Sequence, residues 1–153
     1  RGIVTIILRT GIRRGELERL KWSDITVKVS ENLTAGELHV GSRCVPLSNE
    51  VITVLSERAT RVCTEYVMGK NPKVAMAKVY RDLQVAAKII GLPRLRFHDL
   101  RCTFASRCMA CGMSPLTLFT LLGLSTTRLK FMFHHTVSSP TELYYMEQWC
   151  GNE

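Results

Sequence analysis

Apolar side chains recur at helical spacing along most of the chain, which predicts a mainly helical protein. The apolar residues from Ile3 to Leu8 predict the end of a buried helix that stops at Thr10-Gly11. Similar periodicity predicts a helix over 13–21 and a helix over 49–66 after the N-cap residue Ser48. Further helices are expected over about 72–90, over about 99–110, after Ser114-Pro115, over about 125–133 and after Ser139-Pro140.

Between residues 25 and 47 the hydrophobic period shortens to two, which is typical of strands. Residues 25–29 alternate, 33–36 carry turn chemistry, and residues 37–40 and 43–47 flank Gly41-Ser42. These features predict a small three-stranded antiparallel sheet with a tight hairpin. The expected fold class is therefore α+β, mainly α, with residues 1–153 forming a single domain.

Length and composition agree with one compact domain. The chain has 153 residues, of which 46% are hydrophobic and 22% charged, so disordered and collagen-like structures are excluded. No stretch reaches the roughly 18 uninterrupted apolar residues of a membrane span, so no membrane partner is expected. Because the sequence begins with Arg1 inside an apolar helical pattern, we expect a fragment that another segment precedes.

Charge favours a polyanionic partner, and cysteine usage favours an intracellular location. The net charge is +8 and the sequence pI is about 9.5, a balance typical of nucleic-acid-binding proteins. The six cysteines show no regular disulfide framework. Cys108 and Cys111 form a CxxC pair without a second ligand pair at zinc-site spacing, so they are interpreted as buried apolar residues, and no metal or cofactor is expected.

Two segments about 85 residues apart supply the candidate chemistry. Residues 10–25 read TGIRRGELERLKWSDI, and residues 97–106 read FHDLRCTFAS. His98 and Arg101 are three residues apart at a predicted helix start, a spacing that lets both side chains reach one anion. That geometry suits a phosphate, because guanidinium groups bind its oxygens bidentately, and the first segment also supplies an arginine beside a helix, Arg13.

These segments resemble the catalytic domain of the tyrosine recombinase (phage integrase) family, where a TGLR-x-x-E-L-x-x-L-x-W-x-D-I block precedes an H-x-L-R-H-T-F-A block. A third block is similar to the family's L-L-G-H-S and Y-x-H segments: it spans residues 121–127 and runs through His134-His135 into residues 137–140. The resemblance covers essentially the whole chain. It implies double-stranded DNA as the partner, in recombination or integration of a phage, viral or other mobile element.

The resemblance also implies roles for individual residues. In this family a tyrosine attacks the scissile phosphate without a metal, and two arginines hold the non-bridging oxygens; Arg13 and Arg101 match them. Pre-placed guanidinium groups stabilise the charge that gathers in such a transition state. His98 matches the general acid/base histidine. The family's N-terminal core-binding domain, which completes the clamp around DNA, is absent from these 153 residues.

Three family positions are altered. The position of the nucleophile holds Phe133, which has no hydroxyl, and the position of the second histidine holds Leu124. The family's hairpin lysine is missing from residues 39–43. The sequence therefore predicts a recombinase domain that is inactive as written and forms no 3′-phosphotyrosyl intermediate.

Several interpretations stay open at this point. Phe133 is either an engineered Tyr→Phe change or part of a naturally degenerate recombinase that acts as a non-catalytic DNA-binding or interaction module. A third interpretation places the nucleophile at Tyr144 or Tyr145, acting in trans, although packing explains these tyrosines as well. A fourth is a helical nucleic-acid-binding module without recombinase ancestry.

Further basic residues are candidates for contact with the DNA backbone, and their alternative is a solvated surface charge. The C-terminal segment, residues 139–149, is apolar on one face and is expected to support self-association on DNA. The expected location is intracellular and with DNA, in the cytoplasm, nucleoid or host nucleus. The DNA-contact candidates are Arg14, Lys21, Arg43 and Arg94.

Overall fold

Helices account for most of the secondary structure in a computed structural model that describes residues 2–30, 33–92 and 94–124. The chain divides into two compact units, Arg1–Phe104 and Ala105–Glu153. In chain order the elements are α1 (Gly2–Thr10), α2 (Arg14–Arg19), a 3-10 turn (Trp22–Asp24), β1 (Ile25–Ser30), β2 (Leu33–Val40), β3 (Arg43–Leu47), α3 (Asn49–Ala59), α4 (Pro72–Ile89), α5 (Phe97–Ala110) and α6 (Pro115–Leu122). The predicted fold class, mainly α with a three-stranded antiparallel sheet, is confirmed.

The core of the first unit forms where α1 packs against α3 and the sheet. Ile3, Ile6 and Ile7 lie on the buried face of α1, and Val51 and Leu55 are buried on α3. Burial of these apolar side chains is the main driving force that holds the two helices together.

The sheet has the order β1-β2-β3 and is antiparallel throughout. Gly41 has a φ of 58° in the two-residue turn of the β2–β3 hairpin, a conformation that glycine adopts without steric cost. Side chains alternate across the strands, so Leu38 and Val45 are buried while His39 and Cys44 are exposed. The predicted hairpin at Gly41-Ser42 is confirmed.

The predicted turn at residues 33–36 is wrong, because these residues form the first half of β2 and pair with β1. Gly36 lies there because the sheet approaches α3 closely. A Cβ atom at this position would lie 2.9 Å from Cδ1 of Ile52. The glycine therefore permits packing between layers, and it does not mark a turn.

Two predicted helix ends are also wrong, for one shared reason. Helix α3 ends at Ala59 instead of residue 66, and α2 ends at Arg19 instead of residue 21. The chain after α3 pairs with the chain after α2: the Val67 amide donates to the Leu20 carbonyl at 2.9 Å, and the Trp22 amide donates to the Glu65 carbonyl at 3.1 Å. This long-range pairing ends both helices early.

Helix α5 begins at Phe97, two residues before the predicted start, because the Asp99 carboxylate accepts a hydrogen bond from the Arg96 amide at 2.8 Å and fixes the first turn. Helix α6 begins after Ser114, as predicted, and the Ser114 hydroxyl accepts from the Thr117 amide at 3.2 Å. The two helices predicted beyond residue 124 lie outside the described residues. Across residues 2–30, 33–92 and 94–124, no helix has the length and apolar character needed to cross a membrane.

Candidate functional site

The candidate site begins at the turn between α1 and α2. Gly11 ends α1 with a φ of 61°, and α2 then starts beside Arg13. The Arg13 amide donates to Oε2 of Glu16 at 2.8 Å, and Nη1 of Arg13 donates to Oε1 of the same carboxylate at 2.8 Å. Glu16 thus satisfies an amide at the helix start and holds the Arg13 side chain in place.

Arg43 reaches the same carboxylate from the hairpin. Its Nη1 donates to Oε1 of Glu16 at 3.0 Å, and its Nη2 donates to Oε2 at 2.5 Å. This is the bidentate geometry of a strong, charge-assisted pair. The side chains of Arg43 and Glu16 are only 10% and 13% exposed. The pair joins β3 to α2.

Arg101 is the buried member of the site. It lies on α5, is 5% exposed, and its Nη1 donates to the carbonyl oxygen of Gly11. Because Gly11 ends α1, this hydrogen bond links the second sequence block to the turn that carries Arg13. The structure therefore brings two of the predicted phosphate-binding residues into one neighbourhood from positions 88 residues apart along the chain.

We call Arg13, Arg43, Arg101 and Glu16 the arginine cluster. Burial alone raises the pKa of Glu16, but the hydrogen bonds from Arg43 and Arg13 outweigh it and lower that pKa to about 2. Burial lowers the pKa of Arg101, and the charges of Arg13 and Arg43 lower it further, to about 10. The arginine cluster thus contains three guanidinium groups and one carboxylate, and Arg13 and Arg43 share that carboxylate. Guanidinium groups in such a cluster suit an anion.

His98 and Arg101 lie on the same helix but differ in exposure. His98 is exposed on the first turn of α5, whereas Arg101 is buried within the arginine cluster. The neighbouring Asp99 carboxylate pairs with Arg96, whose hydrogen bond holds the pKa of Asp99 below its usual range. The role of His98 as a proton-transfer group stays a prediction.

The other predicted DNA contacts lie on the surface, each with a partner of its own. Arg14 pairs with Glu18 at 2.8 Å and lies over the ring of Phe97, 5.7 Å from its centroid. Lys21 pairs with Glu65 at 2.6 Å. For Arg94, Nε donates to the hydroxyl of Tyr80 at 2.8 Å. We call Arg14, Lys21 and Arg94 the exposed basic set, which differs from the arginine cluster in burial and in partners.

Of the three altered family positions, the hairpin without the lysine lies in the first unit, and the other two lie outside it. Leu124 lies in the second unit, half-buried after α6, where its amide donates to the Phe119 carbonyl at 3.1 Å. Phe133, Tyr144, Tyr145 and the C-terminal segment 139–149 lie outside the described residues. Their predicted roles stay predictions.

Within the part of the chain that the structure describes, two groups of residues have side chains of the kind that bind metals, the CxxC pair and a trio on the hairpin. The prediction that both residues of the CxxC pair are buried is wrong, because Cys111 is exposed and Cys108 is half-buried. Burial raises the pKa of the Cys108 thiol to about 11. On the outer face of the hairpin, donor atoms of Glu37, His39 and Cys44 lie within 4.8 Å of one another, and all three side chains are exposed. This trio lies on the opposite face of β3 from Arg43.

A groove of about 890 Å³ also lies in the first unit, lined by residues of α1, α3 and α4, among them Val54, Arg58 and Leu83. None of the predicted site residues lines it. The candidate site is therefore defined by charge and hydrogen bonding and not by the shape of this groove.

Glu16 is a site residue that the sequence analysis did not identify. The available signal was its position three residues after Arg13, where the family block also carries glutamate. At that spacing a carboxylate on the first turn of a helix faces back to the residue before it.

Comparisons with known proteins identify the family of the chain. The model of the phage integrase family matches residues 1–135. The chain is similar to tyrosine recombinase XerA of Saccharolobus solfataricus, with 25% identity over 150 residues that cover 95% of this chain and 48% of that protein. The chain therefore spans about half the length of this relative.

Solved recombinase structures share the fold. A crystal structure of XerA recombinase matches with a TM-score of 0.70 and 22% identity, over 99% of this chain and 56% of that one. The Tn1549 transposon integrase in complex with transposon right end DNA matches with a TM-score of 0.66 and 17% identity, over 99% and 58%. XerH recombinase bound to a palindromic difH substrate matches with a TM-score of 0.68 and 19% identity, over 97% and 44%.

Proposed function

Because the chain belongs to the phage integrase family, we propose that it is the DNA-binding catalytic domain of a tyrosine recombinase or integrase, with the nucleophile position occupied by Phe133. The arginine cluster is the observation that carries this proposal. It combines Arg13 and Arg101, the residues that match the family's phosphate-binding arginines, in one cluster of three guanidinium groups and one carboxylate. Such a site favours a phosphodiester over a neutral ligand.

The proposed partner is double-stranded DNA. We expect the protein to be intracellular and located with this DNA. The solved Tn1549 and XerH relatives are complexes with DNA, and the net charge of +8 supports the same class of partner. The exposed basic set would contact the backbone beyond the scissile phosphate, and segment 139–149 would support self-association on DNA. His98 would exchange a proton at the phosphate.

The family's reaction contains one step that requires a tyrosine hydroxyl. A tyrosine oxygen attacks phosphorus, the bond from phosphorus to the 5′ oxygen breaks, and the tyrosine proton is transferred to that oxygen by way of a general acid/base. The products are a 3′-phosphotyrosyl link and a free 5′-hydroxyl. Phe133 has no oxygen for the first bond, so the chain as written binds DNA without cleaving it.

Restoring the nucleophile tests the proposal. The unaltered chain and Phe133→Tyr are incubated with a pool of nicked suicide duplexes of randomised sequence, and covalent protein–DNA product is scored on a denaturing gel. We expect a covalent band with Phe133→Tyr only, and no band when Arg101→Ala is added to it. A band from the unaltered chain would contradict the assignment of Phe133 and would direct attention to Tyr144 and Tyr145.

The second candidate function is a naturally degenerate recombinase that binds DNA as a non-catalytic module, and Leu124 favours it. Leucine offers no hydrogen bond to phosphate at the position of the family's second histidine. This candidate predicts no covalent band from Phe133→Tyr, together with duplex binding that weakens in Arg101→Ala.

A further inference from the structure

Three side chains of different ligand classes meet on the outer face of the β2–β3 hairpin, and we call Glu37, His39 and Cys44 the hairpin trio. A carboxylate oxygen, an imidazole nitrogen and the thiol sulfur all lie within 4.8 Å of one another. Nε2 of His39 is 4.0 Å from Oε2 of Glu37. Within residues 2–30, 33–92 and 94–124, no other three side chains of the types that bind metals lie this close together. The proposed function assigns no role to the trio.

Strand register brings the hairpin trio together. Glu37 and His39 are two residues apart on β2, so their side chains lie on the same face of the sheet. Cys44 is the partner of His39 on β3, and the two form the second residue pair from the turn. Directly opposite Cβ atoms are about 4.5–5.5 Å apart, and diagonal neighbours such as Glu37 and Cys44 are within reach of a long side chain. The paired backbone therefore holds the three side chains over one point of the outer face.

The ligand types of the trio select the kind of cation. Sulfur and imidazole nitrogen ligands favour zinc, whereas magnesium and calcium prefer oxygen ligands. Tetrahedral zinc has ligand distances of about 2.0–2.3 Å, which place its ligand atoms about 3.3–3.8 Å from one another. The atoms of the trio, within 4.8 Å of one another, need to approach by about 1 Å. Because all three side chains are exposed, rotation about their own bonds can close this gap.

We propose that the hairpin trio is a zinc site in which Glu37, His39 and Cys44 bind the metal and water occupies the fourth position. The site is independent of the proposed function. It joins β2 to β3 beside the turn, so zinc stabilises the hairpin whose opposite face carries Arg43. Ligand spacing along the sequence did not indicate this site, because Cys44 reaches the other two residues only through strand pairing.

The charges of the ligands match the charge of zinc. Desolvation and the nearby Glu37 carboxylate raise the pKa of Cys44, so this residue is a thiol at neutral pH in the metal-free chain. A bound divalent cation deprotonates a coordinating thiol, and the proton passes to solvent. The thiolate and the carboxylate then balance the two positive charges of zinc, and the imidazole of His39 binds in its neutral form.

Titration of the whole, reduced chain with Co²⁺ tests the inference, because tetrahedral Co²⁺ accepts the ligands of zinc and absorbs visible light. A bound thiolate adds a charge-transfer band in the near ultraviolet, and displacement by Zn²⁺ then reports the zinc affinity. The variants are Cys44→Ser, His39→Ala and Glu37→Gln, with circular dichroism to verify folding. The matched control is Cys63→Ser, which removes an exposed cysteine outside the trio.

We expect saturable Co²⁺ binding to the unaltered chain and to Cys63→Ser, with displacement by Zn²⁺. Cys44→Ser should lose the charge-transfer band, because serine offers no thiolate. His39→Ala and Glu37→Gln should each weaken metal binding at least about tenfold, as expected when one of three ligands is removed. Zinc should raise the melting temperature of the unaltered chain by a few degrees and leave that of Cys44→Ser unchanged.

The inference is overturned if the unaltered chain shows no saturable Co²⁺ absorption, or if folded Cys44→Ser keeps the charge-transfer band. Unchanged affinity in both His39→Ala and Glu37→Gln overturns it as well, because Cys44 would then bind the metal with ligands outside the trio. If Cys44→Ser does not fold, Cys44→Ala is read by the same criteria. None of these outcomes depends on whether the chain binds or cleaves DNA.

Discussion

The arginine cluster and the exposed basic set contain similar residues in opposite situations. In the cluster, Arg13 and Arg43 share the carboxylate of Glu16 next to the buried Arg101. In the exposed set, Arg14 and Lys21 each have a carboxylate of their own. The comparison shows that position and partners, and not residue type, distinguish the two groups of cations. Exposed pairs are screened by solvent, whereas partly buried groups are screened less.

Removing the shared carboxylate is expected to have the largest effect. Glu16→Ala leaves Arg13 and Arg43 close together without their counter-charge and removes the acceptor for the Arg13 amide. We expect the free energy of unfolding to fall by about 3 kcal/mol, as for other partly buried pairs that lose one partner. Urea unfolding monitored by circular dichroism measures it.

The matched control for this prediction lies on the same helix. Glu18→Ala removes the carboxylate of the pair with Arg14, whose side chain is 51% exposed. We expect a loss of about 0.5 kcal/mol. Equal losses from Glu16→Ala and Glu18→Ala would contradict the distinction between the two regions.

Lowering the pH should reproduce part of the loss of stability that is expected for Glu16→Ala. The pKa of Glu16 is lowered from 4.5 to about 2 in the folded chain, so the ionised form stabilises the fold above about pH 4.5. That contribution is lost as the pH falls from 4.5 towards 2, and after allowance for solvent screening it is worth about 2 kcal/mol.

Urea midpoints of the unaltered chain and of Glu16→Gln over this pH range test the acid prediction. The difference in stability between the two should shrink as the pH falls, because protonated glutamate and glutamine are both neutral. A difference that stays constant across the range would show that Glu16 is not the titrating group.

The exposed basic set should give the smallest effect on stability. Replacing Arg14, Lys21 and Arg94 together by glutamine removes contacts that solvent already screens. We expect a nearly unchanged urea midpoint, with a lower salt slope of duplex binding as the main consequence. A large loss of stability would mean that the contacts of Arg14 with Phe97 and of Arg94 with Tyr80 are structural.

Local patterns predicted the hairpin and most helices, because apolar spacing and turn residues determine which segments can bury one face. The ends of α2 and α3 could not be predicted in this way. They depend on backbone pairing between Lys21 and Tyr66, which are 45 residues apart. The sequence around one of these residues does not indicate that it pairs with the other. Gly36 was wrongly predicted to lie in a turn for a similar reason, because its close neighbour Ile52 belongs to another element.

The candidate site was partly predictable. Arg13 and Arg101 were found from their sequence blocks, and the structure places both in the arginine cluster. The burial of Arg43 against Glu16 depends on strand register and on the fold that brings β3 to α2. Arg43 was therefore predicted only as a general DNA contact. His98, Leu124 and Phe133 carry predicted roles that the arginine cluster does not test.

The most direct test of the central claim compares the two regions in one binding experiment. Duplex affinity is measured by anisotropy for Arg101→Ala and for the triple glutamine variant of the exposed basic set, with melting curves to verify folding. If the arginine cluster is the phosphate site, folded Arg101→Ala loses at least about tenfold in affinity and more than the triple variant does. A greater loss in the triple variant, with Arg101→Ala binding like the unaltered chain, would contradict the account.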